Sequence, residues 1–244
     1  MQTLVPTMNS QTPLLNPAPK RETLGSNVLG QIKELLLTGQ LMPGEGLSLR
    51  STAEAIGVSV MPVREAVYQL VADQALEVAP NKSVRVPQLT ADQFEEITLI
   101  RLEIEGFAVE QAAQKATPKL VTGLRSLNNK LSIAMSRPGI KTDAVRLNKE
   151  LHFSIYEAAA MPMLTKIIET MWLRVGPILN YDLRIGSERT LSKIAVKHHK
   201  NLIEALALRD PSLARQALCA DIESAFKSIY KKQYLNGKET NPSL

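Results

Sequence analysis

The stretch from Leu47 to Leu70 constrains the fold of this chain more than any other. It contains two short segments with helical periodicity, and Gly57 separates them at a point where a left-handed turn residue is needed. Ser59 stands where an N-cap residue belongs, and Pro62 falls in the first turn that follows. The second segment combines an apolar stripe with a polar outer face. This pattern predicts a helix-turn-helix, although a generic helical hairpin has the same local pattern.

The sequence around this stretch completes a winged helix. Residues 21–38 have the apolar spacing of an amphipathic helix, and residues 75–78 and 83–86 are short β-prone runs on either side of a proline turn. Three helices followed by a hairpin therefore predict a winged helix-turn-helix domain at residues 21–88. The second helix of its helix-turn-helix can lie in a DNA major groove.

From residue 92 onward the chain has helical periodicity alone. Six amphipathic helices are expected at about 92–116, 117–135, 142–160, 163–183, 187–208 and 211–234. Together they predict an all-α bundle at residues 92–235, with a core that can hold a ligand. The chain as a whole is thus mainly α. Residues 89–91 would link the two domains, and residues 1–20 and 236–244 would form a flexible arm and tail.

Composition narrows the class of protein. The single cysteine, Cys219, excludes an internal disulfide and fits a reducing cytoplasm. The apolar runs are shorter than the roughly 20 residues that a membrane-spanning helix needs, so no membrane partner is expected. The net charge of +5 is weak evidence for nucleic-acid binding, because residues 20–90 contain seven basic and seven acidic side chains. Any contact with DNA must depend on where those charges point.

These segments resemble a known family. LLLTGQLMPGEGLSLRSTAEAIGVSVMPVREAVYQL resembles the winged-helix domain of the GntR family of bacterial transcription regulators. RLEIEGFAVEQAA, NKELHFSIYEAAAMPML and HHKNLIEALALRDPSLARQAL resemble the FCD effector domain of its FadR-type members, so the resemblance covers about residues 22–232. It implies a ligand-responsive regulator, expected to be a repressor, that binds a short pseudo-palindromic operator in double-stranded DNA as a homodimer. The implied effector is a small organic acid.

The resemblance also implies which side chains contact DNA. The recognition helix would present its outer face to the groove, the preceding helix would add one arginine, and the hairpin tip would meet phosphates or the minor groove. The expected DNA-contacting residues are Arg50, Ser59, Arg64, Tyr68, Lys82 and Arg85. The sequence departs from the family at Val60, where arginine is usual, and at Ser83, where glycine is usual. We therefore expect relaxed specificity at one base pair and a less close approach of the wing.

A metal site is implied in the helical domain. Asn148 and His152 are four residues apart on one predicted helix, so their side chains project from the same face. The family binds a divalent metal through an Asp or Asn, a His four residues later and two further His. Carried over, this set is Asn148, His152, His199 and Asp221, with aspartate in place of the last histidine. Zinc is the expected ion, with nickel or manganese as alternatives. The competing interpretation is that His152 is a core histidine and that His199 lies on a solvated face.

Two arginines are candidates for the effector site. Arg101 matches a family arginine that helps to hold an acidic effector, and Arg174 is a weaker candidate. Arg101 could equally form a surface ion pair with Glu105. Two other classes of function stay open at this point: a metal-dependent enzyme in which the His/Asp centre activates water, and a helical dimerisation module. The sequence contains no HExxH motif, phosphate-cradling loop or separate nucleophile–base pair, which favours the regulator.

Overall fold

The computed structural model describes residues 24–137, 142–184 and 188–231. The expected arm at residues 1–20 and tail at residues 236–244 lie outside these described residues. In chain order the elements are α1 (Leu24–Leu37), β1 (Gly46–Leu47), α2 (Leu49–Ile56), α3 (Val60–Ala72), β2 (Glu77–Val78), β3 (Val84–Arg85), α4 (Ala91–Lys115), α5 (Pro118–Ser136), α6 (Thr142–Ala158), α7 (Pro162–Arg184), α8 (Glu188–Leu191), α9 (Ile194–Ala207) and α10 (Pro211–Lys231). The predicted fold class, a winged helix followed by an all-α bundle, is confirmed.

The wing is a small antiparallel sheet with the strand order β1-β3-β2. Leu47 of β1 and Val78 of β2 both lie opposite Val84 of β3. The predicted hairpin corresponds to β2 and β3, but the sequence analysis missed β1. A strand of two residues contains too little alternation for its periodicity to be recognised.

The turn between α2 and α3 forms at the predicted glycine. Gly57 has φ 78° and ψ 34°, and its N–H donates to the carbonyl of Ala53. The expected capping bond of Ser59 is absent from the described contacts of α3, so that detail of the prediction was wrong. The third residue of α3 is Pro62, which has no N–H to donate to the hydroxyl.

The buried faces of α1 and α3 hold the recognition helix in place. Val28, Ile32 and Leu36 of α1 belong to the same apolar cluster as Val63 and Leu70 of α3. Each of these side chains is at most 1% exposed. Because each buried aliphatic side chain contributes about 1.5–3 kcal/mol, α3 is fixed firmly to the domain and its outer face stays outward.

In the helical domain α4 lies along α10 and also packs against α6 and α7. The apolar spacing of the first bundle helix predicts that Ile100 and Phe107 point inward, but this prediction is wrong, because they are 41% and 42% exposed. The inner face of α4 instead carries Arg101 and Glu105, which are 4% and 0% exposed and pair with each other. A polar cluster, rather than an apolar seam, therefore lies at the centre of this face.

The predicted helix at residues 187–208 is two helices. α8 ends at Leu191, and α9 begins at Ile194 after Lys193, whose φ of 52° interrupts the helical backbone. Neither glycine nor proline marks this position, so the sequence contains no breaker signal. None of the helices in the described part of the chain combines the length and the hydropathy that a membrane-spanning segment requires.

Candidate functional site

Three helices bring His152, His199 and Asp221 together inside the bundle. His152 lies on α6, His199 on α9 and Asp221 on α10, and their residues are 2%, 0% and 5% exposed. The two histidine Nε2 atoms are 3.1 Å apart. Asp221 Oδ2 lies 3.4 Å from the Nε2 of His152 and 3.5 Å from the Nε2 of His199. We call these three residues the ligand cluster.

The spacing within the ligand cluster fits one divalent ion. Zinc binds imidazole nitrogen and carboxylate oxygen at about 2.0–2.2 Å, so neighbouring ligand atoms around a tetrahedral ion are roughly 3.3–3.6 Å apart. Both distances from Asp221 Oδ2 match that spacing, and the 3.1 Å between the two histidine nitrogens is slightly shorter. They form a group of nitrogen and oxygen ligands of the kind that binds a metal ion. The alternative in which His199 lies on a solvated face was wrong.

Asn148 is the fourth residue of the predicted set. It lies on α6 one turn before His152, and its side chain is half-buried. This position keeps it on the helix face that carries His152. Its role as a ligand stays a prediction.

A second layer of buried side chains orients His152. Its Nδ1 lies 3.1 Å from the hydroxyl of Tyr156, and that hydroxyl donates to Glu105. Glu105 also accepts from Trp172 Nε1 at 3.1 Å and from Arg101 Nε at 2.5 Å. The sequence analysis did not assign Tyr156 or Trp172, although Tyr156 follows His152 by one helical turn.

This second layer determines which nitrogen of His152 faces the ligand cluster. Burial, and then the charge of Glu105, raises the pKa of Tyr156 well above its usual value, so the phenol keeps its proton. Because that single proton is donated to Glu105, the hydroxyl oxygen accepts from Nδ1–H of His152. The Nε2 lone pair is then directed at His199 and Asp221, which is the tautomer that a metal ligand needs.

Arg101 is fixed beside this layer. Its predicted ion pair with Glu105 exists but is buried rather than on the surface, with side-chain exposures of 5% and 0%. Its guanidinium also lies 5.3 Å from the ring centroid of Trp172. Burial lowers the pKa of Arg101, but the charge and hydrogen bonds of Glu105 outweigh it and raise the pKa, so the side chain stays charged.

Arg174 lies at a different place. It lines a narrow space with Pro43, Pro87 and Gln88, between α7 and the segment that leaves the wing. Its Nε is buried and has no hydrogen-bond partner among the described residues. This placement puts Arg174 at the junction of the two domains rather than with Arg101.

The outer face of the recognition helix α3 is open to solvent. Arg64 and Tyr68 are exposed one turn apart, and Ser59 precedes them at the start of the helix. Arg50 is exposed on α2, where its Nε lies 3.5 Å from Glu54. The four predicted contacts on the helix-turn-helix are thus all accessible to solvent, and their contact with DNA stays a prediction.

The tip of the wing presents Lys82. This residue is exposed and has a left-handed φ of 63°, and the turn around it is closed by Asn81 Oδ1, which accepts from Ser83 N at 3.1 Å. Arg85 follows on β3, where its Nε donates to Glu77 at 2.6 Å across the hairpin. The guanidinium of Arg85 is therefore partly neutralised, whereas Lys82 is placed at the far end of the hairpin.

Known proteins share both domains of this chain. The sequence model of the FCD domain family matches residues 96–224, which is more than half of the chain. The sequence model of the bacterial regulatory proteins of the gntR family matches residues 24–86. The HTH-type transcriptional regulator McbR of Escherichia coli K12 is 32% identical over 213 residues, covering 87% of this chain and 96% of that protein. A probable D-xylose utilization operon transcriptional repressor of Paenarthrobacter nicotinovorans is 27% identical over 198 residues, covering 81% and 85%.

A solved structure has the same arrangement. The structure of E. coli McbR/YncC superposes with a TM-score of 0.78 at 31% identity, covering 86% of this chain and 98% of that one. The family and these relatives are transcription regulators. The function is therefore that of a regulator, rather than that of a metal-dependent enzyme or a dimerisation module. The chain belongs to the GntR family of bacterial transcription regulators, as a ligand-responsive DNA-binding protein with a winged helix and an FCD effector domain.

Proposed function

We propose that this regulator is a dimeric repressor that senses an organic acid through a divalent ion held by Asn148, His152, His199 and Asp221. The observation that carries the proposal is the convergence of three ligand atoms to within 3.1–3.5 Å of one another in the buried ligand cluster. Two imidazoles and oxygen ligands suit zinc best, and nickel or manganese would also accept them. FCD domains that bind metals are the precedent for such an ion.

The effector would be a carboxylate because of the charges at this site. A bound divalent ion supplies a positive centre with positions that protein ligands leave open, and a carboxylate oxygen is a suitable ligand for them. Arg101 lies in the layer behind His152, where Glu105 neutralises its charge, so the ion itself supplies the positive charge that would attract the acid. The protein's own part is to hold His152 in the correct tautomer and to keep water away from the buried charges.

Two winged helices, one from each chain of a dimer, would act together on DNA. One winged helix reads a short half-site, which gives too little affinity against the competing sites of a genome, so we propose a homodimer on an inverted repeat. Repression is proposed because the Paenarthrobacter relative carries the name of a repressor. The site of action would be the bacterial cytoplasm, where the chromosome lies.

We expect Arg64→Ala to weaken binding to an operator selected from random duplex DNA by about 5- to 150-fold, measured by mobility shift. The exposed arginine can donate two hydrogen bonds to guanine, and the loss of such a pair costs about 1–3 kcal/mol. Binding to unrelated DNA should change much less, because base contacts carry the sequence information.

Lys82→Ala is the matched contrast to Arg64→Ala. It should weaken operator and unrelated DNA alike, and it should reduce the slope of log K against log salt by about 1. Operator affinity unchanged by Arg64→Ala would contradict the assignment of α3 as the reading helix. A salt slope unchanged by Lys82→Ala would remove the wing tip from the interface.

A further inference from the structure

Helix α7 contacts both the layer behind the ligand cluster and the DNA-binding domain. At one position α7 carries Trp172, whose Nε1 donates to Glu105. Eight residues later, about 12 Å along the helix, Asn180 Nδ2 donates to the carbonyls of Leu36 and Leu37, at 3.2 Å each. Two turns of α7 therefore separate the sensing layer from the end of α1.

Asn180 binds α1 at the point where a helix needs outside partners. Leu36 and Leu37 are the last two residues of α1, and their carbonyls have no N–H donor inside the helix; that of Leu36 also accepts from Gly39 N, at 3.3 Å. The Asn180 residue is 5% exposed, so both hydrogen bonds are protected from water. The amide of Asn180 acts as a C-terminal cap that belongs to the other domain.

The two backbones approach closely around this cap. Gly39 has φ +67°, and a Cβ there would lie 2.5 Å from the Cβ of Asn180. A Cβ on Gly176 would lie 3.4 Å from the carbonyl oxygen of Leu36. The glycine at position 39 therefore lets α7 pack directly against the segment that follows α1, whereas a Cβ at position 176 would make only ordinary van der Waals contact with Leu36.

Further contacts tie α7 to the same domain. Lys33 on α1 donates to Glu169 at 2.7 Å, and Arg184 donates to the carbonyl of Gly39. Leu89, in the segment that leaves the wing, belongs to one buried apolar cluster with Val175 and Ile178 of α7. Helix α7 thus contacts the DNA-binding domain at α1 and at the segment that follows the wing.

We propose that α7 transmits the state of the ligand cluster to the winged helix, and that Asn180 is the positioning residue at the junction. The path runs from His152 through Tyr156 and Glu105 to Trp172, along α7, and into the end of α1. Pro177 lies between Trp172 and Asn180 and removes one helical hydrogen bond, so α7 can bend at this point. The biological meaning of this coupling rests on the proposed sensing function, but the coupling itself can be measured without DNA.

The test is amide hydrogen exchange in the last turn of α1, on the full chain, with zinc and after chelation. In wild type we expect zinc to change the exchange rates by about fivefold or more, a typical lower bound for coupling between sites. Asn180→Ala should reduce this response to less than about twofold while zinc affinity stays close to that of wild type. Trp172→Phe, which keeps an aromatic ring but loses the indole N–H that donates to Glu105, should weaken the same response and keeps the Asn180 cap on α1.

Asn128→Ala is the matched control. Asn128 is also buried and also donates to a backbone carbonyl, at 3.1 Å to Val196, but both partners lie inside the helical domain. This variant should lose stability and keep the zinc response at α1. A full response in folded Asn180→Ala, or no response in wild type, would overturn the proposal. Should Asn180→Ala not fold, Trp172→Phe decides alone.

Mobility shifts with the selected operator separate this proposal from the proposed function. Wild type should show different DNA affinities with and without zinc, and the ratio should approach 1 in Asn180→Ala. If wild type binds no DNA at all, the proposed function fails, and the exchange data alone decide the role of α7. If wild type binds DNA but zinc does not change the amide exchange rates at α1, the proposed role of α7 is wrong and the proposed DNA recognition is unaffected.

Discussion

Arg101→Met is expected to lower the free energy of unfolding by about 3–5 kcal/mol, because it leaves the carboxylate of Glu105 buried without its counter-ion. Both residues lie in the interior, with side-chain exposures of 5% and 0%. Tyr156 and Trp172 would still donate to Glu105, but neither carries a compensating charge. Urea denaturation of the full chain measures the difference.

Arg125→Met supplies the control for this prediction. Arg125 pairs with Glu204 at 3.2 Å on the surface, with side-chain exposures of 52% and 51%, so its loss should cost at most about 1 kcal/mol. The double variant Arg101→Met/Glu105→Leu should recover part of the lost stability, since it removes the buried charge but leaves the donors of Tyr156 and Trp172 without their acceptor. Equal losses in the two single variants would show that the buried pair has no special role.

The second large effect concerns the metal. Wild-type protein purified without an affinity tag should hold about one divalent ion per chain, and His152→Ala/His199→Ala should hold none. Loss of a residue that merely supports a ligand lowers metal affinity by about 10–100-fold, and here two ligands are lost. Zinc at a hundred times its dissociation constant should stabilise wild type by about 2.7 kcal/mol and leave the double variant unchanged.

His198→Ala tests whether the effect belongs to the ligand cluster. His198 neighbours His199 on α9 but does not belong to the cluster that the structure assembles from the described residues. Its replacement should leave the metal content at about one ion per chain. Wild type that is free of metal and yet responds to an organic acid would refute the metal role, and Arg101 would then be the main candidate for the acid.

The helix-turn-helix could be predicted because its signals are local. Gly57 and the apolar spacing of Val63, Ala66, Val67 and Leu70 act within a few residues of one another, and the structure has the turn and the buried face where the sequence places them. The capping bond of Ser59 failed for an equally local reason, the missing N–H of Pro62. The absence of this bond could therefore have been predicted from the sequence.

The site depends on contacts that are distant in sequence. His152 and His199 were found through a family resemblance, but the Glu105–Trp172 bond joins residues 67 apart, which no local pattern reveals. The same limit explains the error on α4, since apolar spacing favoured Ile100 and Phe107 as core residues. The structure buries Arg101 and Glu105 instead. Their burial is possible because Tyr156 and Trp172, which lie on other helices, donate hydrogen bonds to Glu105. The cap of Asn180 on α1 spans more than 140 residues and was likewise beyond a reading of the sequence.

The central claim is that two copies of this chain read one symmetric operator. The direct measurement is sedimentation of wild-type protein with duplexes selected from random DNA, followed by sequencing of the selected pool. We predict an enriched inverted repeat and a complex of two chains per duplex, since each winged helix reads one half-site. A complex with one chain per duplex, or a pool without any enriched sequence, would contradict the account.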